Sequence, residues 1–223
     1  MSKYFSQCGQ DQFINEKIFK NKRGGVFLDI GANDGVSFSN TYFFEKELEW
    51  TGVCFEPLKS AFEKLQNSRT SININACVAN EDKIDFFLSV EGYGEMLSGL
   101  KSKYDERHLQ RVNDTIKLHG GRMTETKVQC YNINRILQDK NFTNIDFISI
   151  DTEGNELEIL KSINFKDIHV KALVVENNYS SSEFKDFLTT KGFIKIKQLS
   201  VDEVYVNQAD FSFFSRFLIS YLK

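Results

Sequence analysis

Short apolar runs alternate with amphipathic stretches along most of this chain. Val26-Phe27-Leu28-Asp29-Ile30 is closed by Gly31, the pattern of a buried strand entering a tight turn. Residues 39–49 then read as a helix that Ser39 or Asn40 can cap. Residues 51–56 form a second strand that Pro57 stops, and 59–67 a second helix with Ala61, Phe62 and Leu65 on one face. A third strand is expected over 72–79, then a turn at Asn80-Glu81-Asp82 and a further apolar run over 84–88. The rhythm returns with a strand over 145–150 ending in Asp151, a helix over 155–162, a strand over 170–175 ending in Glu176, and a helix over 181–190. Residues 193–199 and 203–206 lie too close together for a crossover helix, so they predict an antiparallel pair. The sum is an α/β fold whose parallel sheet ends in a hairpin.

Residues 91–125 break the rhythm, with Gly92, Gly94, Gly99, Gly120 and Gly121 around a charged stretch that predicts one helix near 104–116. The segment reads as a lid or substrate collar above the sheet, or as a decorated surface insertion. At 223 residues, 41% apolar and with only one proline, the chain can bury a proper core and is read as a single domain over 1–223. Its net charge of −3 gives no bulk attraction to nucleic acid or to an anionic membrane. No run approaches the roughly 18 apolar residues of a membrane span, so no membrane insertion is expected. Cys8, Cys54, Cys77 and Cys130 are spread without a C-x-x-C pair and read as free thiols in a reducing, cytoplasmic setting. The tail over 210–223 is apolar enough to pack on the body or on a twin subunit, which leaves a homodimer open.

The strongest chemical signal is Asp29-Ile30-Gly31-Ala32-Asn33-Asp34-Gly35. Gly31 and Gly35 permit a sharp turn and close approach of a ligand. The segment is not G-x-G-x-x-G, and no Lys-Ser/Thr pair follows, which weakens dinucleotide and triphosphate readings. Glu56 ends the second strand, where a carboxylate can accept both hydroxyls of a ribose or stand as a solvated strand end. Asn75 is a candidate for an adenine ring edge through its side chain, with Ala76 and Cys77 contributing backbone or apolar contact. Asp151-Thr152-Glu153-Gly154-Asn155-Glu156 sets acids directly after a buried run, which is costly unless something binds them. Glu153 reads as cap or site, and Glu156 as a helix-dipole partner. The fifth strand brings Glu176-Asn177-Asn178 to the same level.

Together, V-F-L-D-I-G-A-N-D-G, G-V-C-F-E-P and I-D-F-I-S-I-D-T-E-G-N-E-L-E-I-L resemble the FkbM-type methyltransferases, which have the class I S-adenosylmethionine-dependent fold. S-Q-C-G-Q-D at 6–11 and S-N-T at 39–41 match one branch, and the resemblance runs over 6–199. It implies a Rossmann-like three-layer sandwich around a seven-stranded sheet of order 3-2-1-4-5-7-6, with the seventh strand antiparallel. It also implies that Gly31, Asn33 and Gly35 line the methionine part of the cofactor, with Asp29 orienting it and Glu56 holding the ribose. Ser39 and Asp151 join this cofactor set, and Ser6, Gln7 and Gln10 fold over it from the amino terminus. Many members carry a basic residue two positions before the acid of the fourth strand; here that position is Ser149.

Members similar to this chain mostly methylate hydroxyls, so the resemblance implies an O-methyltransferase acting on a small-molecule or carbohydrate acceptor, a glycan or nucleotide-sugar. A hydroxyl needs its proton removed while oxygen, carbon and sulfur are held in line. One route places Mg²⁺ or another divalent cation on Asp151 and Glu176 with Asn177 assisting. The other uses Asp151 or His108 as a metal-free base. Tyr93, Met96, Arg107 and Arg111 of the collar, with Glu153, are candidate acceptor contacts. An RNA-directed enzyme on the same fold is disfavoured by the net charge and the lack of a basic, aromatic stripe. A non-enzymatic interaction domain would be expected to have lost the glycine turn or Glu56.

Overall fold

The computed structural model describes residues 4–211. The expectation for the tail, from 212 onward, lies outside them. An amino-terminal helix, α1 (Gln10–Phe13), continues into a wider π-helical turn over Ile14–Phe19. It is followed by β1 (Val26–Ile30), α2 (Tyr42–Leu48), β2 (Thr51–Phe55), α3 (Lys59–Ser68) and β3 (Ile72–Ile74). Next come β4 (Cys77–Ala79), β5 (Lys83–Val90), β6 (Gly99–Leu100), α4 (Glu106–His119), β7 (Met123–Asn132) and α5 (Ile133–Asp139). The chain closes with β8 (Asn144–Ile150), α6 (Glu156–Ser162), β9 (His169–Glu176), α7 (Glu183–Thr190), β10 (Phe193–Leu199) and β11 (Asp202–Asn207).

The larger sheet runs β3-β2-β1-β8-β9-β11-β10, parallel except for β11, which is antiparallel to both neighbours. Counting only its own strands, this is the expected 3-2-1-4-5-7-6 order. Alternate residues feed opposite faces, as the pleat requires. Leu28, Ile30, Val53, Phe55, Ile148, Ile150, Leu173 and Val175 pack under α5, α6 and α7. Phe27, Phe147, Ala172, Val174 and Val204 pack on the other face, under α2, α3 and the amino-terminal helix.

Two features depart from the expected pattern. The third strand breaks at Asn75, where Ala76 N–H bonds back to the Ile74 carbonyl. Ile72–Ile74 stays in the large sheet, and Cys77–Ala79 joins a second sheet of order β4-β7-β5-β6. The long β7 has no apolar signal in MTETKVQCYN because only Cys130 in it is buried; its order comes from antiparallel pairing with β5 from Lys83↔Cys130 to Val90↔Met123. The collar helix begins at Glu106, where Asp105 caps it by accepting from His108 N–H at 2.9 Å.

The turn after β1 rests on one buried cation. Arg69, just past α3, has a side chain closed off from solvent; its Nε donates to Glu45 at 2.6 Å, Nη1 to the Gly35 carbonyl at 3.0 Å and Nη2 to Thr41 Oγ1 at 2.9 Å. Thr41 in turn donates to Asp29 at 2.5 Å, and the guanidinium lies 5.1 Å from the centre of the Phe27 ring. Burial opposes the ionised form of Glu45, yet Arg69's charge and hydrogen bonds, with those from Thr70, hold its pKa below the usual range. Asp29 is pushed up by burial, against Arg69 and Thr41.

The two glycines of the turn pack closely against protein. Gly31, at φ +90°, would carry a Cβ 1.7 Å from the Asp151 carbonyl oxygen, and one on Gly35, at φ +83°, would meet Arg69, Leu65 and Ser68 at 2.7 Å. These glycines dock the turn on the end of β8 and on Arg69, and Gly31 also lines two of the cavities at the sheet edge.

Gly31→Ala is expected to lose about 2–4 kcal/mol, from backbone strain plus the clash with Asp151, read as a lower midpoint in urea. Arg69→Met should cost about 3–5 kcal/mol at pH 7, because it strands buried carboxylates. Glu45 contributes stability above its unfolded pKa that is lost as pH falls through its depressed folded value. The gap between Arg69→Met and wild type should therefore narrow as urea titrations move from pH 7 towards pH 4.

Candidate active site

Parallel strands end along one edge of the large sheet, and there β1, β2, β8 and β9 present Gly31, Glu56, Asp151 and Glu176 in turn. Three cavities meet at this edge. The first, of about 760 Å³ including its open mouth, is lined by Gly31, Asn33, Glu56, Ala76, Met96 and Asp151 among others. The second, of about 640 Å³, adds Gln10, Asp29, Ser39, Asn40 and Glu176. The third, of about 740 Å³, runs past Arg107, His108, Glu153, Glu176 and Tyr179.

Glu56 is buried, and its carboxylate accepts from Asn33 N–H at 2.9 Å and Leu58 N–H at 2.7 Å. Burial raises its pKa to about 7 despite those bonds, with smaller contributions from Glu95 and Asp29. Beside it, Leu58, Ala76, Cys77, Val78 and Phe87 make an apolar wall. Asn75 is not part of that wall: its side-chain amide donates to the backbone carbonyls of Glu56 and Pro57 at 2.8 and 3.0 Å. The ring-edge contact expected of this side chain is replaced by a brace under Glu56.

The second cavity gathers the amino-terminal arm. Gln7 and Gln10 line it; Gln10 donates to Asp202 at 2.5 Å and accepts from Cys8 N–H at 2.8 Å, while Ser6 is turned to Asp11 instead. Ser39 Oγ accepts from the amides of Thr41 and Tyr42 at 3.2 and 3.1 Å, at the head of α2. Asn40 donates to Ser149 Oγ at 3.0 Å and leaves its own Oδ1 buried without a partner.

Where the cavities join, ligand-capable oxygens of Asp151, Glu153 and Glu176 lie within 4.8 Å of one another. Asp151 is open to the cleft, yet the surrounding protein withholds bulk water. That desolvation, then the charges of Glu153, Asp202, Glu156 and Asp29, pushes its pKa well above the carboxylate range. Burial and the neighbouring Asp151 and Glu153 drive Glu176 far upward too. Glu153 sits at about 7, raised by burial and by Glu156 against the pull of Arg111, whose Nη1 is 3.2 Å from its Oε2. Glu156 stands apart as a structural acid, accepting from Thr152 N–H, Thr152 Oγ1 and Gly154 N–H at 2.8, 2.9 and 3.0 Å.

Two further expectations are corrected. Asn177 does not face the acids; its amide bonds Ser181 N–H, the Ser181 carbonyl and Glu203, and Glu153 occupies the third corner instead. Tyr93 points away, 76% exposed and stacked on His119 with ring centres 4.1 Å apart. His108 is buried. Its Nε2 donates to the Leu97 carbonyl at 3.0 Å, which leaves Nδ1 as the acceptor facing Glu153 Oε2 at 3.6 Å. Burial lowers its pKa, with the Leu97 bond opposing and Arg111 assisting, so the ring favours its neutral form. Met96 lines the first two cavities, and Arg107 lies 3.7 Å over the Tyr179 ring at the third. Arg69, Glu45 and Asp202 were not legible as site residues, because a lone Arg after a helix and an Asp at the start of a strand carry no motif.

The family model for the methyltransferase FkbM domain matches residues 29–212. Among solved structures, the chain is similar to methyltransferase FkbM from Methylobacillus flagellatus, at 13% identity and TM-score 0.48, covering 82% of this chain and 43% of that one. The chain thus spans less than half the length of that protein. It is also similar to a protein in the NADB-Rossmann superfamily from Streptococcus agalactiae, at 13% identity and TM-score 0.46, covering 93% and 70%. A human methyltransferase 10 domain containing protein follows at 10% identity and TM-score 0.41, covering 92% and 83%. No curated protein matches the chain significantly. No helix among the described residues is long and apolar enough to cross a membrane. With the sheet order, the glycine turn and the strand-end acids, the match over residues 29–212 establishes that this chain belongs to the methyltransferase FkbM family, an S-adenosylmethionine-dependent methyltransferase domain.

Proposed function

We propose that this domain transfers a methyl group to a hydroxyl of a carbohydrate acceptor, a glycan or nucleotide-sugar. The observation that carries the reading is the junction at Asp151, which borders both the cofactor cleft and the second cavity and lies beside the third through Glu153 and Glu176.

The residues present fit S-adenosylmethionine. The apolar wall of Leu58, Ala76, Val78 and Phe87 suits an adenine ring, and each Glu56 oxygen keeps a lone pair for a ribose hydroxyl beyond its backbone bond. The orphaned Asn40 Oδ1 is an acceptor suited to the ammonium of the methionine end, with Gln10 and Ser39 in the same cavity. When bound, the cofactor supplies an electrophilic methyl on a sulfonium.

The acceptor side is polar and aromatic. Arg107, stacked over Tyr179 and bonded to Asp105, places a guanidinium and an aromatic ring at the third cavity, groups suited to sugar hydroxyls and to a nucleotide-sugar phosphate. Asp151 takes the hydroxyl proton as the oxygen–carbon bond forms and the carbon–sulfur bond breaks, and its raised pKa makes it a stronger base than an ordinary carboxylate. Arg111 acts through Glu153, holding that carboxylate at the rim of the third cavity. The four free cysteines, three of them buried, support a reducing setting such as the cytoplasm.

S-adenosylhomocysteine affinity, read by calorimetry, should be level above about pH 8 and fall about tenfold from that plateau by about pH 6 as Glu56 takes up a proton, while Glu56→Gln binds weakly with a flat profile. Asp151→Asn should lower kcat by about 10²–10⁴ in a methyl-transfer assay. In an acceptor panel, sugars and nucleotide-sugars should turn over; turnover of catechols alone would overturn the carbohydrate assignment.

A further inference from the structure

The acid junction is over-supplied with carboxylates. Asp151, Glu153 and Glu176 converge within 4.8 Å, and among the described residues the cation paired with them is Arg111, on Glu153 alone. The other neighbours of Glu153 are a neutral-leaning imidazole at 3.6 Å and the Asn178 amide at 3.5 Å. Glu176 provides the independent observation: it is 7% exposed, and its Oε2 has no hydrogen-bond partner. A buried carboxylate oxygen without a partner is expensive, and native proteins rarely keep one unless water, an ion or a ligand serves it. Glu176 belongs to the same close group as the two other acids, whereas the side chain of Asn177, next in sequence, is bonded to Ser181 and Glu203.

We propose that Asp151, Glu153 and Glu176 form a binding site for one hard divalent cation, Mg²⁺ or Mn²⁺. Three carboxylate oxygens and no nitrogen or sulfur donor match the preference of these ions, which keep several waters and leave open positions for a substrate oxygen. The site borders all three cavities, so an acceptor hydroxyl approaching Asp151 would meet the cation. Binding there lowers the hydroxyl's pKa and neutralises charge that the protein leaves uncompensated. The inference rests on the methyl-transfer reading for its catalytic purpose, and its metal-binding test stands independently of that reading.

The test is Mn²⁺ binding to the full chain, followed by electron paramagnetic resonance with and without S-adenosylhomocysteine, and repeated on Glu176→Gln and Glu153→Gln. One ion per chain is expected, competed by Mg²⁺, with affinity at least tenfold weaker in each variant. Thermal melts of the metal-free proteins guard against misfolding: removing an acid from a crowded, unpaired cluster should leave the midpoint of Glu176→Gln unchanged or raised. A destabilised Glu176→Gln in the absence of metal would mark a structural acid and overturn the proposal. So would absence of stoichiometric Mn²⁺, or Mn²⁺ bound equally by wild type and variants. If Glu176→Gln instead loses S-adenosylhomocysteine while wild type binds no Mn²⁺, the acids serve the ligand's ammonium and the cation site is refuted. Failure of wild type to bind S-adenosylhomocysteine at all would sink the methyltransferase reading while leaving the metal result to stand or fall by itself.

Discussion

A single guanidinium, withdrawn from water, sets the shape of the glycine turn at the edge of the large sheet. Arg69 ties α2 through Glu45 and Thr41, the turn through the Gly35 carbonyl, and β1 through its proximity to Asp29, and its plane rests near Phe27 in the core. Burying one cation among acids is tolerated because its donors find acceptors on several sides. The turn after β1 consequently carries no freedom of its own. Its glycines are fitted against Asp151 and Arg69, and its Asn33 amide is pinned by Glu56. A ligand entering the cleft meets a surface already formed.

The acids at the strand ends work under the opposite condition. Around Arg69 opposite charges are matched, whereas at Asp151, Glu153 and Glu176 like charges are brought together with little to offset them. Matched charges fix a shape; unmatched ones store a demand that a proton, a cation or a substrate can meet. The fold thus separates rigidity and reactivity along one sheet edge, with Glu56 and the turn at one end and the acid junction at the other.

Much of this was legible in the sequence because strand-end chemistry follows strand periodicity. Runs such as VFLDI and IDFISI declare buried parallel strands, and the residues that close them must lie at one edge. The spacing of the last two strands declared the hairpin. What stayed hidden depends on partners distant in the chain. β7 is polar and is ordered by its pairing with β5, Arg69 stands in no motif, and Asn75 and Asn177 look ligand-like until their backbone partners are seen. Similarly, Gly31 suggested ligand approach, since sequence alone cannot say that the vacant Cβ space is filled by the Asp151 carbonyl.

The break at Asn75 has an architectural consequence. The chain leaves the large sheet there and wanders through β5, the collar and α4. It then returns along β7 to lie beside its own point of departure, with Cys77 in register with Cys130. Exit and re-entry are therefore neighbours, so the excursion between them can change length or content at little cost in loop closure. The sheet carries the strand-end acids, while the excursion supplies Phe87, Met96 and Leu100 to the first cavity and Arg107 and His108 to the third, so a change of panel there reshapes both chambers together.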